Sequence, residues 1–220
     1  MKPPVETLAN PFSPGEEWAN RLTHAAGAVL SLPGLYLLIR LALDKGDIRH
    51  LLSFTIFGLS LVALYFASTF YHTFQTPRLK RVLRVADHIG IYLLIAGSYT
   101  PFTLISLRGG VGWALFIAVW VMALAGIVFK VFYIGRFGAL SVIGYLAMGW
   151  LILFALNAVL ESIPTGGILL LAAGGFSYTV GVVFFLWEAL PYNHAIWHLF
   201  VLGGSVTHYV AVVFHVHPPG

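Results

Sequence analysis

Residues 193–214 read NHAIWHLFVLGGSVTHYVAVVF, an apolar run with two histidines, His194 and His198, at its start. A run of this length crosses the roughly 30 Å hydrocarbon core of a bilayer as a helix. An ionisable side chain just inside such a span is costly, and is therefore a functional candidate by default. The four-residue spacing puts both imidazoles on one helix face, one above the other. Two imidazoles so placed can chelate one ion, as the paired histidines of helical zinc motifs do.

Reading outward for similar runs gives seven: Leu22–Ala42, Leu51–Phe74, Val85–Leu107, Gly112–Phe132, Gly138–Val159, Ile168–Glu188 and Asn193–Phe214. Turn and charge punctuation separates them: Asp44 to Asp47, Thr76-Pro77, Gly109-Gly110, Gly135, Pro164 to Gly167 and Pro191. The breaks near Gly109 and Gly135 are the shortest. Losing either would leave six spans, with both termini on one side. Continuous runs of about twenty residues specify helices, not the shorter alternating strands of a barrel. The expected fold is all-α, a polytopic seven-transmembrane helix bundle. Residues 1–20 are expected to form a cytoplasmic tail, 21–217 the membrane domain and 218–220 a short C-terminal tail.

Composition supports this. The chain has 220 residues, 59% hydrophobic and only 9% charged, against roughly 25% charged in a soluble domain. Mean hydropathy is +0.89. Such a chain cannot cover a water-facing surface, and its net charge of +4 reads as basic loops, not as a nucleic-acid surface. With no cysteine, disulfides, thiol redox chemistry and thiolate ligands are excluded, so any metal is held by nitrogen and oxygen. Residues 1–20 lack the pattern of a cleaved signal peptide, and the first span is read as retained.

Basic residues set the expected orientation. With the N-terminus inside, the inner side holds Lys2, Arg21, Arg78, Lys80, Arg81, Arg84, Lys130 and Arg136, and the outer side Arg40, Lys45, Arg49 and Arg108. Eight against four favours N-terminus cytoplasmic and C-terminus outside. In that topology His72 at the end of span two, Asp87 at the start of span three and the His194/His198 pair share one depth on the cytoplasmic side. Three imidazoles and a carboxylate suit a zinc-type site with room for a water. Ser68 precedes His72 by four residues and shares its face. The plainer alternative is that these groups hydrogen-bond one another and pin helices together.

Other polar positions carry less. His24 and Asn20, with Glu17, lie at the cytoplasmic end of span one; His24 can orient a ligand or water or cap the helix end. His88 points about 100° away from Asp87 and reads as a packing residue. His208 is about 15 Å along the helix from His198 and reads as a satisfied internal histidine. His215 and His217 read as solvated tail, and Glu188 and Tyr192 as interfacial.

Ser68-x3-His72, Asp87 and His194-x3-His198 on the last of seven helices together resemble the hemolysin III family of bacterial membrane proteins. That family is related to the progestin and adiponectin receptors and, more remotely, to alkaline ceramidases. Glu17-x2-Asn20-x2-Thr23-His24-x2-Gly27 and the stretch from His198 to Ser205 resemble it too, so the likeness runs from about Glu16 to His215. It implies zinc on His72, His194 and His198, Asp87 meeting the metal through a water, Ser68 nearby, and a bacterial inner-membrane location. The family's name implies cytolysis by some members; its receptor relatives imply signalling and ceramidase-type chemistry.

The expected function is a zinc-dependent hydrolase of a lipid amide or ester at the cytoplasmic side, with membrane lipid as substrate. Asp87 would be the general base and Ser68 a donor to the oxyanion. The alternatives are a seven-helix receptor or sensor of lipid or membrane state with a structural zinc, and a cytolytic membrane protein. For the latter no span shows a regular polar stripe. Iron, cobalt or nickel would also suit the ligand set.

Overall fold

The structure, a computed structural model, describes residues 12–45, 47–107 and 109–216. Its helices are α1 (Pro14–Lys45), α2 (Ile48–Thr73), α3 (Pro77–Pro101), α4 (Gly109–Tyr133), α5 (Gly138–Gly149), α6 (Leu156–Ser162), α7 (Thr165–Leu186) and α8 (Asn193–His215). A π-helical turn over Phe102–Ser106 prolongs α3, and a 3-10 turn over Leu151–Ala155 joins α5 to α6 into one span. Seven segments are long and apolar enough to cross a membrane, and the described residues contain no strand. The chain is a seven-helix membrane bundle. The short breaks at Gly109 and Gly135 both separate helices.

Two helices start eight residues earlier than hydropathy predicts. α1 begins at Pro14, so Glu16, Glu17 and Asn20, expected in the tail, are helical. A capping box starts it: the Ser13 hydroxyl accepts from the Glu16 N–H (3.3 Å), and the Glu16 carboxylate accepts from the Ser13 N–H (2.9 Å). α3 begins at Pro77, eight residues before the expected Val85. Proline at the first helical position lacks only an N–H that would be unpaired there anyway. Arg78, Lys80, Arg81 and Arg84 therefore occupy the first turns of α3, which a hydropathy reading assigns to a loop.

Among lipid tails, apolar side chains gain little by touching each other, so close packing and hydrogen bonds carry the association. Large apolar side chains such as Leu30 and Phe154 accordingly face outward, while Phe57, Leu64, Phe102 and Ile105 fill the interior. α3 is the central helix: 72% of its apolar window is buried, against at most 50% in any other span. α1 packs along α2, α2 along α3 and α7 along α8, and contacts between α1 and α8 bring the first and last spans together. Gly27 allows the α1–α2 approach, since a Cβ there would lie 2.6 Å from the Tyr65 ring. α5 touches its neighbours sparsely, leaving a cavity of about 640 Å³ bordered by α3, α5, α7 and α8. Alternation of the spans gathers the starts of α1, α3 and α8 and the end of α2 at one end of the bundle.

Candidate metal centre

His72 is the penultimate residue of α2, while His194 and His198 occupy the first two turns of α8. One ligand atom from each of the three lies within 4.8 Å of the others, the one such group among the described residues. Ring centroids are 5.2 Å apart for His72–His194, 5.3 Å for His72–His198 and 4.5 Å for His194–His198. The helical spacing thus does what the sequence implies for α8, and the α2–α8 juxtaposition supplies the third imidazole.

The ring nitrogens are assigned by their partners. His72 Nδ1 is 2.6 Å from Glu17 Oε2, a carboxylate that only accepts, so Nδ1 carries the hydrogen and Nε2 is left bare. His198 Nδ1 is 3.1 Å from the Asn20 carbonyl oxygen and 3.0 Å from the Thr23 hydroxyl, which itself donates to the Ala19 and Asn20 carbonyls. Its Nδ1 therefore donates, and Nε2 again presents a lone pair. Nε2 of His72 and Nε2 of His194 are buried without a hydrogen-bond partner. Orphaned buried nitrogens are costly in a protein interior. Converging ones fit a divalent cation, and with oxygen and nitrogen donors alone the set suits zinc.

Glu17, read from the sequence only as a neighbour of His24 and Asn20, makes the more consequential contact. Its other oxygen accepts from Lys80 Nζ, and Lys80 also donates to Gln75 Oε1 at 2.7 Å. Glu17 thereby ties α1 to the end of α2 and the start of α3, and orients His72 as the carboxylates behind zinc-bound histidines do. The signal lay in the spacing of Glu17, Asn20, His24 and Gly27, which falls on one face of α1 once the helix is known to extend that far.

Asp87 is buried in the third turn of α3, and Ser68 is fully buried on α2 with its hydroxyl left without a hydrogen-bond partner. Asp87 borders the same cavity as His194 and His198 but is not a member of the three-histidine group. Asn20 acts through its backbone carbonyl; neither side-chain polar atom has a partner. His24 caps nothing. Its ring stacks on His198 at 3.5 Å between centroids and 13° between planes, and meets Tyr65 edge-on. Phe12 covers the site, its ring 4.9 Å from His194 and 5.6 Å from His72.

Of the remaining histidines, His208 Nε2 donates to the Leu171 carbonyl (3.3 Å), but Nδ1 is unpaired, so it is only half satisfied. His215, expected in a solvated tail, ends α8, and its ring sits against Gly166 and Gly167 of α7. His217 lies outside the described residues. His88 borders the cavity, where Tyr145 donates to its carbonyl (3.4 Å). Tyr192 adopts a left-handed conformation (φ 59°) before α8, and its N–H donates to Glu16 (3.1 Å).

Seven spans with three imidazoles converging at one end, two of them buried and one half-buried, define a class of polytopic membrane protein with a candidate metal centre. The chain belongs to the haemolysin-III related family, whose pattern matches residues 12–209. It is 48% identical over 203 residues to Hemolysin-3 of Bacillus cereus, covering 92% of this chain and 93% of that one. Identity to a Hemolysin-3 homolog of Bacillus subtilis (strain 168) is 46% over 204 residues, 93% and 96% of the two chains. Similarity reaches the human monocyte to macrophage differentiation factor, 33% identical over 204 residues, 90% and 83% of the two chains.

Proposed function

We propose that the chain is a zinc-dependent hydrolase of a lipid amide or ester, working at the cytoplasmic side of the bacterial inner membrane with its N-terminus inside. The observation that carries this reading is the convergence of His72, His194 and His198, with unpartnered buried Nε2 atoms on His72 and His194, where His194 and His198 border a large cavity. Zinc held there would supply a Lewis acid that polarises a carbonyl and makes a water acidic near neutral pH. The protein's own groups do the rest. Glu17 holds His72 in one tautomer and orientation, and Asn20 and Thr23 do the same for His198. Asp87 takes a proton from water and returns it to the leaving amine or alkoxide. Ser68 donates a hydrogen bond to the oxygen that gains charge. The apolar walls of the cavity suit an acyl chain.

A second reading treats the metal as a clamp in a lipid receptor. The Glu17–His72–Lys80 linkage favours it, because a metal on His72 would further bind α8 to the α1–α2–α3 corner. One experiment separates the two. Zinc is measured by elemental mass spectrometry on purified protein and on a His194→Ala/His198→Ala variant, alongside hydrolysis of ceramide-like amides and phospholipids. About one zinc per chain and hydrolysis, both lost in the variant, support the enzyme. Zinc without hydrolysis supports the clamp, and equal metal in both proteins refutes the site.

A further inference from the structure

Two cations face the cavity without a carboxylate partner. Lys130, in the last turn of α4, is only 2% exposed, and Arg84 stands in the second turn of α3; both border the cavity. Among the described residues neither is ion-paired: the ion pairs are His50–Asp47, His72–Glu17 and Lys80–Glu17. Lys80 is the informative contrast, also buried but neutralised by Glu17 and held by Gln75. An unneutralised cation buried in a bilayer protein is expensive, and such residues mark binding sites or pathways.

The carboxylates that border the cavity are Glu16, Asp87 and Glu188, and none is ion-paired to either cation. Glu16 is occupied by Ser13 and by the Tyr192 N–H. Asp87, one turn further along α3, senses Arg84 electrostatically without pairing to it. The Arg84 guanidinium instead rests on the α4–α5 turn, where Nη1 would be 3.7 Å from a Cβ at Gly135 (φ +81°). Ser141 and Tyr145, four apart on α5, border the same cavity.

We propose that Arg84 and Lys130 form an oxyanion-binding subsite at the polar end of the cavity, selecting lipids with a phosphate or carboxylate head. This deepens the hydrolase reading and rests on it in treating the cavity as the substrate chamber. The head would lie one helical turn, about 5 Å, outward of Asp87. The acyl chain would run along Leu94, Tyr178 and Val182. Arg84 supplies a planar fork suited to an oxyanion, and Lys130 a point charge.

The test is equilibrium binding of radiolabelled dodecyl phosphate to the full chain purified in a nonionic detergent. Saturable binding is expected, displaced by unlabelled dodecyl phosphate but not by excess dodecyl maltoside. An Arg84→Gln/Lys130→Gln variant should bind about tenfold more weakly or worse, the factor a single charge-assisted hydrogen bond supplies. Lys130→Arg should retain binding, which keeps the test decisive if the double variant misfolds by circular dichroism. Parent protein stripped of metal with a chelator should bind dodecyl phosphate like untreated parent, so failure of the metal site and failure of this subsite are read separately. Displacement by maltoside, or by inorganic phosphate at concentrations matching dodecyl phosphate, would overturn the lipid subsite. So would full binding by a folded double variant.

Discussion

Glu17 neutralises Lys80 and orients His72 with the two oxygens of one carboxylate. Glu17→Gln keeps the shape but removes the charge, leaving Lys80 buried without a counter-ion. Breaking a buried pair in this way costs about 3–5 kcal/mol, and loss of a carboxylate behind a metal-bound histidine weakens metal binding about 10–100-fold. A lower melting temperature together with weaker zinc retention in a chelator titration is therefore expected; unchanged zinc affinity would remove Glu17 from the site. Asp87→Asn is isosteric and outside the three-histidine group. It should keep zinc and fold while turnover falls about 10²–10⁴-fold. Turnover equal to the parent would dismiss Asp87 as the base.

At the level of the helices, the α1–α2 contact depends on a missing side chain. Gly27→Ala would drive a methyl into the Tyr65 ring, whose edge already meets His24. Overpacking of this kind costs about 1–3 kcal/mol, and the displaced Tyr65 would disturb the His24–His198 stack. Thermal denaturation and zinc content of Gly27→Ala should both decline. The start of α2 offers a pH-dependent case at the bundle's other end. Asp47 Oδ1 accepts from the Arg49 N–H at 3.0 Å. That bond first, and then His50, holds its carboxyl below the ordinary carboxylate range. A depressed value in the folded state stabilises above the unfolded value, about 3.9, and the benefit fades as pH falls through the folded one. Asp47→Ala should cost about 0.5–1 kcal/mol at this exposed cap. Its melting difference from the parent should be constant between about pH 7 and 5 and shrink in stronger acid; a difference that grows in acid would contradict the cap.

For the whole molecule, a chain without cysteine lets sidedness be measured with single reporters. Single reporters at Thr76, in the α2–α3 linker, and at Lys45, before the α1–α2 linker, lie at opposite ends of the bundle. With the N-terminus inside, a membrane-impermeant maleimide should label Lys45→Cys in intact cells and Thr76→Cys only after lysis; the reverse pattern would invert the bundle. Seven spans, the helical class and the His194/His198 pair were legible in the residues because each is local. Hydropathy over twenty residues and a four-residue spacing need no knowledge of neighbours. The starts of α1 and α3 were not legible, because capping and a leading proline override a polar stretch that hydropathy reads as loop. The sequence by itself determined seven membrane-spanning helices and a histidine pair on one face at the start of the last. Only the tertiary structure decided that Glu17 fixes the His72 tautomer, that His24 stacks instead of capping, and that Arg84 and Lys130 face one cavity unpaired. Those facts depend on which faces of α1, α2, α3, α4 and α8 meet, and contacts between distant helices leave no period in a chain.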